Sequence, residues 1–526
     1  MPVRIFNRQQ TWLLPPTLDE LIPDDHPARF VAMIVDSLDT ATWQRLEISL
    51  EGEPRGAPNY HPRAMLGVWL YGFMTLTRST RKLEEACRDK ISYLWLTGWQ
   101  HPDHNSLWRF YKAHRDEMRH LFKLTVRAAV KMDLVDLAVQ AVDGSKIAGN
   151  AAKERTYDRK GLEKLLERTD KVIQELEKEN EADNGPVTTH LPEKLRKAEQ
   201  LRTAVKAAME QLATKGRKNI NLTDGDTKLM KTRQGLVAGY NLEAMSSPLK
   251  VEETKKKGLF MTAVDVVTDT TDTKQLIPML EQTQDNTEKK ADRTLADAGL
   301  HSGANLAACE ERKQTIVMPE SQDRALKQPY HKDKFTYNSE TDTYTCPQGQ
   351  TLQFVSQRRN RQTLVYIYRG TPAVCRNCAA FGICTKNKHH GRELQIGEYE
   401  GALRCHRVWM VSEEAKEAYK QRKELIEPCF GIIKEQMGIR RFLLRGLMNV
   451  RAEAATLTTA FNLRTLHSVW QLWTEEKRSK FTTIIHELGE ALFGQPAGQA
   501  LYCICQEKGD AFSSPYISAF LRFDKE

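Results

Sequence analysis

The chain has 526 residues, more than one hydrophobic core normally organises, so about two to four domains are expected. Hydrophobic residues make up 40% of the chain, and its longest apolar runs fall far short of the roughly 20 residues of a membrane helix, which excludes a membrane-spanning protein. The N-terminus lacks the apolar core of a signal peptide, so a cytoplasmic protein is predicted. The 78 Lys and Arg residues outnumber the 69 Asp and Glu residues, and the net charge of +9 is compatible with a polyanionic partner.

Residues 1–125 form the first predicted domain, which is almost wholly helical. The run from Arg63 to Met74 is apolar enough for a buried helix, and Asp103 stands in a turn where it can cap the next one. The capped helix carries three basic residues at three-residue steps, namely Arg109, Lys112 and Arg115. Such a face can enter a DNA groove or line the phosphates, as the second helix of a helix-turn-helix does, and it can equally be a solvated face.

The second predicted domain, residues 130–320, begins with a change of hydrophobic period. Leu134–Val142 alternates like a strand, and Asp143 with Gly144 is expected to form the turn that ends it. Residues 151–218 are rich in Lys and Glu with Leu at helical spacing, which predicts an inserted helical hairpin with a solvated face.

The rest of this region predicts a mixed sheet. Its expected elements are strands at Gly235–Met245 and Leu259–Val267, a helix over Thr271–Thr283, a strand over Arg293–Ala296 and a strand from Thr315. Three consecutive strands followed by a strand reached through a helix indicate a sheet flanked by helices. Because sites gather at strand ends of such sheets, Asp143 and Asp297 are expected to converge.

Four of the ten cysteines are clustered in the third predicted domain, residues 321–410. They are Cys346, Cys375, Cys378 and Cys384, with the spacing C-x28-C-x2-C-x5-C. Two thiolates two residues apart can bind one Zn²⁺ ion and two further sulfurs complete a tetrahedron, so a structural zinc site is predicted. The alternatives are four reduced thiols, or His389 or His390 in place of Cys384 as a ligand.

Residues 411–475 are predicted to be helical, and residues 476–526 form a tail without a predicted role. Glu427 and Lys434 are seven residues apart, so both side chains lie on one face of a regular helix. Pro428 is expected to kink this helix or to begin a new one at Glu427, because its ring clashes with the preceding turn.

Several short phrases, in this order, carry a family resemblance. They are Leu14 to Pro27, Tyr60-His-Pro-Arg63, Ser79 to Glu84, Pro102-Asp103-His104, Asp143 to Ile147, Leu229 to Arg233, Gly239-Tyr-Asn241, Ala296 to Gly299, Glu427 to Gly431 and Arg445-Gly446. With them, the chain resembles the DDE transposases of bacterial insertion sequences from about Trp12 to Leu466. The resemblance implies a ribonuclease-H-like α/β core, a mixed sheet flanked by helices, joined to an N-terminal all-helical domain, an inserted helical hairpin and a cysteine-rich insertion.

The resemblance also implies an activity and its residues. Asp143, Asp297 and Glu427 would be the catalytic carboxylates that hold two Mg²⁺ or Mn²⁺ ions, and general chemistry agrees, since carboxylates that share two metal ions are a standard device for displacement at phosphorus. For Glu427 the rivals are Glu424 and Glu435. The implied partners are double-stranded DNA, both the terminal inverted repeats and the target, and a second copy of the chain in the DNA complex. The resemblance also implies that the protein is bacterial and associates with the nucleoid when it is bound to DNA.

Within this family a Tyr, Arg, Glu and Lys signature marks the helix of the third acid, and its basic members contact DNA phosphates near the cut. Tyr419, Arg422, Glu427 and Lys434 match the signature with one departure. Four residues separate Arg422 from Glu427, where the usual signature has three. The departure leaves Tyr419 and Arg422 less firmly assigned than Lys434.

Two other classes fit part of the sequence. A zinc-containing DNA-binding protein derived from a transposase would keep Arg109, Arg115 and the cysteines but could lose the carboxylates, which are all present here. Another two-metal DNA nuclease would share the core chemistry without strand transfer. Such a nuclease would not be expected to carry the N-terminal helical region or the Glu427 to Lys434 signature.

Overall fold

The computed structural model describes residues 17–38, 43, 59–182, 193–214, 216–232, 235–320, 328–360 and 363–493. The last part of the predicted tail, residues 494–526, lies outside these ranges, as do residues 14–16 of the first family phrase and Arg233 of a later one. By its internal contacts the chain divides into two compact units. One comprises Met1–Tyr71, Thr80–His120 and Trp473–Glu526, and the other comprises Gly72–Ser79 and Leu121–Leu472.

The N-terminal region is helical, as predicted. Its helices are α1 (Pro27–Asp36), α2 (Pro62–Met74), α3 (Thr80–Asp89), α4 (Ile91–Thr97), α5 (His104–Ala113) and α6 (Met118–Lys131). Asp103 caps α5 as expected, because its Oδ1 accepts a hydrogen bond of 2.8 Å from the Ser106 amide. In the described ranges, no helix is both long and apolar enough to cross a membrane.

A six-stranded mixed sheet forms the centre of the second unit. Its strands are β1 (Val139–Ala148), β4 (Lys228–Thr232), β5 (Gly235–Pro248), β6 (Leu259–Val267), β7 (Arg293–Leu295) and β8 (Thr315–Val317). Strand β5 pairs antiparallel with β1, with β6 and with β4. On its other side β1 pairs in parallel with β7, and β7 pairs in parallel with β8. The predicted mixed sheet is therefore present.

Helices cover both faces of this sheet. On one face, Val142 and Met245 lie in an apolar cluster with residues of α10 (Leu276–Thr287) and α11 (Gly303–Glu311). Side chains alternate along a strand, so Asp143 points to the other face. There α14 (Glu413–Gly431) contacts β1 and β5, and α15 (Leu447–Trp470) contacts β6.

The predicted hairpin insertion is formed by α7 (Arg159–Ala182) and α8 (Glu193–Thr214). A two-stranded ribbon, β2 (Thr156–Asp158) with β3 (Asn219–Asn221), lies at its base. Leu162 and Val205 are fully buried in the apolar cluster that joins the two helices and the ribbon. A short helix, α9 (Val251–Thr254), separates β5 from β6.

The cysteine-rich region contains its own antiparallel sheet. The five strands run in the order β13 (Glu393–Gly397), β12 (Thr363–Gly370), β11 (Thr351–Asn360), β10 (Thr343–Thr345) and β9 (Thr336–Asn338). The short helix α12 (Pro372–Arg376) follows β12, and α13 (Glu400–Val411) packs against α11. The last described helix is α16 (Glu475–Phe493).

The structure contradicts the turn predicted at Asp143 and Gly144. The chain stays extended through both residues, because β1 remains paired with β5 from Ala141 to Ala148. Gly144 lies opposite Glu243 in this pairing, and a Cβ at residue 144 would be 2.8 Å from a Glu243 carboxylate oxygen. The glycine therefore serves close packing rather than a turn.

Of the kink or new helix predicted at Glu427, the structure contradicts the new helix. Helix α14 continues through Pro428, and a π-helical turn, Ile432–Gln436, follows it. Proline removes one backbone hydrogen bond, but Ile426 and Cys429 on either side are fully buried against the sheet. Burial of the flanking apolar side chains offsets the lost hydrogen bond and keeps the helix intact.

Candidate active site

The sheet pairing brings Asp143 and Asp297 to neighbouring positions. The parallel strands β1 and β7 pair Ala141 with Leu295, and each aspartate follows two residues later on its own chain segment. Asp297 then caps a 3₁₀ turn, Ala298–Leu300, because its Oδ1 accepts a hydrogen bond of 2.8 Å from the Gly299 amide. The two aspartates therefore occupy corresponding positions on neighbouring chain segments.

The electrostatic environment of Asp143 is that of a partly buried acid beside another acid. Burial raises the pKa of its carboxyl to about 6, the Arg422 guanidinium opposes this rise, and the charge of Asp297 adds to it. Its Oδ1 also accepts a hydrogen bond of 2.9 Å from the Gly144 amide. A pair of adjacent carboxylates that disfavour each other's charge is the environment in which a cation binds well.

Arg422 extends from α14 into this cluster. Its Nη2 lies 2.8 Å from Asp143 Oδ2, and its Nη1 lies 4.0 Å from Glu427 Oε1. Only 8% of the Arg422 side chain is exposed, and its Nε has no hydrogen-bond partner within the described part of the chain. Arg422 thus acts as a buried counter-charge for Asp143 in this conformation.

Glu427 and Tyr419 complete the cluster from the same helix. The Glu427 side chain is 56% exposed, so its carboxylate is open to solvent. Burial raises the pKa of the Tyr419 phenol, Arg422 lowers it, and the charges of Asp297, Asp143 and Glu427 each raise it further. All three predicted acids therefore act on one phenol, which indicates that α14 brings Glu427 to the edge where the aspartates lie.

Lys434 reaches the sheet from the π-helical turn. Its Nζ donates a hydrogen bond of 2.5 Å to Ser145 Oγ. Ser145 is two residues beyond Asp143 on β1, so both side chains project from the same face of the sheet. Lys434 consequently lies on the same side of β1 as the acids.

The basic residues predicted on the capped helix are placed in the other compact unit. Arg109 and Lys112 are exposed on α5. The helix ends at Ala113, so Arg115 is not on it, which corrects the prediction of one helical face with three cations. The chain turns at this point because His114 leaves the helical conformation as the C-cap.

The four clustered cysteines line one cavity of about 240 Å³. The Gln350 amide donates to Cys346 Sγ at 3.3 Å, and the Arg392 amide donates to Cys375 Sγ at 3.4 Å. Burial raises the pKa of the Cys384 thiol, Arg392 opposes this, and the three other cysteines add to it. The sulfurs are thus near one another, and backbone amides are directed at two of them.

Sequence reasoning missed a second polar cluster on the opposite face of β1. It consists of Lys146, Asn241, Glu243 and Asp272. The signal that could have found it is the glycine after Asp143, which allows a large side chain of β5 to lie against the strand.

In the described ranges, no group of three or more His, Cys, Asp or Glu side chains is arranged to hold a metal ion.

Comparison with known proteins assigns two segments of the chain to transposases. A family model described as "Transposase DDE domain" matches residues 345–467, which include the four cysteines, Glu427 and Lys434. A second model, "Transposase domain (DUF772)", matches residues 16–113, which include Arg109 and Lys112. The two matches support an insertion-sequence DDE transposase.

Other comparisons are distant. No curated protein matches the chain in sequence. A solved structure, the piggyBac transposase synaptic complex with hairpin DNA determined by cryo-EM, is similar with a TM-score of 0.29 and 9% identity, over 93% of this chain and 86% of that chain. A similarity this remote supports no inference about the present site.

Proposed function

We propose that this transposase binds the terminal inverted repeats of its own insertion sequence, cleaves DNA strands at their ends and joins the freed 3′-hydroxyl to target DNA. Asp143, Asp297 and Glu427 are its catalytic carboxylates. The observation that carries the proposal is the parallel pairing of β1 with β7, which sets the two aspartates side by side. The strand order β6, β5, β1, β7, β8 supports a ribonuclease-H-like core for this sheet.

The acids fit a pair of divalent cations. Carboxylate oxygens are the donors that Mg²⁺ and Mn²⁺ prefer, and the charge of Asp297 disfavours the charged form of Asp143, which a bound cation would favour. Two such ions, when bound, would activate the attacking hydroxyl or water and stabilise the leaving oxygen. The exposed Glu427 carboxylate would hold the second ion.

The basic residues around the acids would orient the DNA. Lys434 and Tyr419 lie at the same sheet face as Asp143, where a phosphate at the cut would be placed. Arg422 would have to release Asp143 in order to contact a phosphate, because its guanidinium is buried in the ion pair. Arg109, Lys112 and Arg115 would contact DNA through the helical unit, and two copies of the chain would pair two ends.

We also propose a structural Zn²⁺ ion in the cavity of Cys346, Cys375, Cys378 and Cys384. The support is that the four cysteines line one cavity and that backbone amides donate to two of their sulfurs; four thiolates are a donor set that closed zinc sites use. The glycines beside Cys375 fit this role. A Cβ at Gly370 would lie 2.9 Å from its sulfur, and one at Gly391 would lie 3.1 Å from it.

The test of catalysis is strand cleavage of a DNA duplex that carries the inverted repeats flanking this reading frame. Asp143→Asn, Asp297→Asn and Glu427→Gln should each reduce Mg²⁺- or Mn²⁺-dependent cleavage to background while end binding stays close to wild type. The physical reason is that each change removes an anionic metal ligand without changing the size of the side chain.

Glu424→Gln is the matched control, because Glu424 is exposed on the same helix three residues before Glu427. It should cleave normally; inactivity of Glu424→Gln with full activity of Glu427→Gln would move the third acid to Glu424. Wild-type protein that binds ends without cutting them would support a noncatalytic DNA-binding protein. Cutting without any joining to target DNA would support a nuclease.

A further inference from the structure

A closed cluster of polar side chains lies beneath β1, on the face opposite Asp143. Glu243 and Asn241 of β5 are fully buried. Lys146 of β1 and Asp272, in the loop before α10, keep 22% and 13% of their side chains exposed. Two carboxyl groups and one ammonium group therefore share a site that is almost closed to solvent.

Hydrogen bonds join every member of this cluster. Asn241 Nδ2 donates to Glu243 Oε1 and, at 2.6 Å, to Asp272 Oδ1. Lys146 Nζ donates to the same Asp272 oxygen at 2.7 Å. Burial raises the pKa of Glu243 to about 9, and the charge of Asp272 adds to the rise. Burial thus disfavours the charged form of Glu243, whose Oε2 has no hydrogen-bond partner in the described part of the chain.

The carboxyl pair lies directly against the backbone of Gly144. A Cβ on residue 144 would be 2.8 and 2.9 Å from the two Glu243 carboxylate oxygens and 3.0 Å from Asp272 Cγ. Any larger side chain at this position would displace the pair, since the added Cβ would be closer to the carboxyl groups than van der Waals contact allows. The backbone of Gly144, next to Asp143, thus packs against the Glu243 carboxyl group.

The loop of Asp272 also holds the turn that begins at Asp297. Thr273 Oγ1 donates to the Gly299 carbonyl at 3.0 Å. Asn305 Nδ2 donates to the Thr273 carbonyl at 2.6 Å and to the Leu300 carbonyl at 2.7 Å. One loop consequently contacts both the strand of the first acid and the turn of the second.

We propose that Glu243 is a positioning residue for the reaction: with Asn241, Asp272 and Lys146 it fixes the spacing between the Asp143 and Asp297 carboxylates. This inference rests on the proposed function, since it assumes that the two aspartates hold metal ions. Glu243 touches neither substrate nor metal and acts through the backbone of Gly144 and the loop of Asp272. Residues that orient metal ligands typically change metal affinity by about 10- to 100-fold when they are removed.

The test compares Glu243→Ala with Glu243→Gln. Gln keeps the size of the Glu243 side chain and its contact with Gly144, whereas Ala removes the contact. Glu243→Ala should raise the Mg²⁺ concentration for half-maximal cleavage by about 10- to 100-fold, and Glu243→Gln should retain most of the wild-type response. Mn²⁺ binding measured by calorimetry without DNA should weaken in parallel, which gives a readout independent of activity.

Leu280→Ala controls for a purely structural role. Leu280 is buried on α10 in the core of the same sheet but is not part of the polar cluster. It should lower thermal stability without changing the Mg²⁺ requirement. If Leu280→Ala shifts the requirement as much as Glu243→Ala does, the positioning role is overturned.

Gly144→Ala provides a second variant in case Glu243→Ala fails to fold. Its methyl group should displace the same carboxyl pair and raise the Mg²⁺ requirement in the same direction. An unchanged requirement in Gly144→Ala would contradict the inference. The proposed function fails separately, if wild-type protein neither binds Mn²⁺ nor cleaves DNA.

Discussion

The family resemblance predicts that Arg422 contacts a DNA phosphate, yet Arg422 is buried in an ion pair with Asp143. The guanidinium offsets the charge of an acid that burial would otherwise protonate at a higher pH. A spacing pattern could not show this, because the pairing depends on how α14 crosses β1. The arrangement indicates that Arg422 stabilises the metal-free protein in addition to any role with DNA.

Removing Arg422 should therefore destabilise the folded protein. We expect Arg422→Gln to lower the free energy of unfolding in metal-free buffer by somewhat less than the roughly 3–5 kcal/mol of a fully buried pair, because Asp143 keeps 19% of its side chain exposed. Asp143→Asn in the same protein should recover part of this loss, since it removes the unpaired charge. Urea denaturation of the two single variants and the double variant measures the coupling, expected at about 1 kcal/mol or more.

The pair Arg293 and Glu414 is the matched control, because it joins the same helix to the same sheet at the surface. Its coupling should stay below about 1 kcal/mol, as for most exposed ion pairs. A coupling for Arg422 and Asp143 no larger than that of the control would show that burial adds nothing to their interaction.

At the scale of elements, the cysteine-rich sheet illustrates how separate segments form one site. Cys346 follows β10, Cys375 lies in α12, and Cys378 and Cys384 lie in the turns beyond it. Arg392 holds these segments together by donating to the Cys384 carbonyl at 2.9 Å and to the Tyr330 carbonyl at 2.8 Å. Arg392 is thus a structural residue of this sheet.

Cys378→Ser should abolish zinc binding. Metal analysis of the purified wild-type protein should find about one zinc ion per chain, and the variant should contain close to none, because loss of one thiolate opens a four-ligand site. The variant should also unfold its cysteine-rich region at a lower temperature. Cys405→Ser is the control, since Cys405 is exposed on α13 away from the cavity. Wild-type protein without zinc would dismiss the site.

At the scale of the whole molecule, the end of the described chain returns to its beginning. Phe481 of α16 is fully buried and stacks on Phe30 of α1 with ring centroids 6.2 Å apart. The Trp473 ring packs edge-on against the Phe481 ring, with ring centroids 5.4 Å apart. Part of the segment without a predicted role is therefore a structural element of the helical unit.

Phe481→Ala should destabilise that unit by about 3–5 kcal/mol, the usual cost of removing a fully buried phenylalanine. Hydrogen exchange of peptides from α1 should accelerate, because these amides are protected by the same packing. Lys480→Ala, an exposed neighbour, should leave the exchange unchanged. Equal protection of α1 in both variants would contradict a structural role for α16.

The sequence predicted most elements of the fold, and each error in these predictions has a local cause. The strand over Leu259–Val267 was placed correctly, and β5 was found although it runs three residues further than expected. Strand β1 was displaced because Asp143 and Gly144 resemble a turn and their pairing with β5 is a long-range contact. The helix after β6 begins at Leu276 rather than near Asp272, because Asp272 is held by Lys146 and Asn241.

By itself the sequence predicted the family resemblance, the mixed sheet, the inserted helices and the candidate acids, since residue type and local periodicity are properties of short segments. The tertiary structure decided which acids lie together and what surrounds them. The pairing of β1 with β7, the ion pair of Arg422 and the buried carboxyl of Glu243 each join residues far apart in the chain. Such contacts depend on strand order and helix packing, and burial then changes the charge state of the groups that meet.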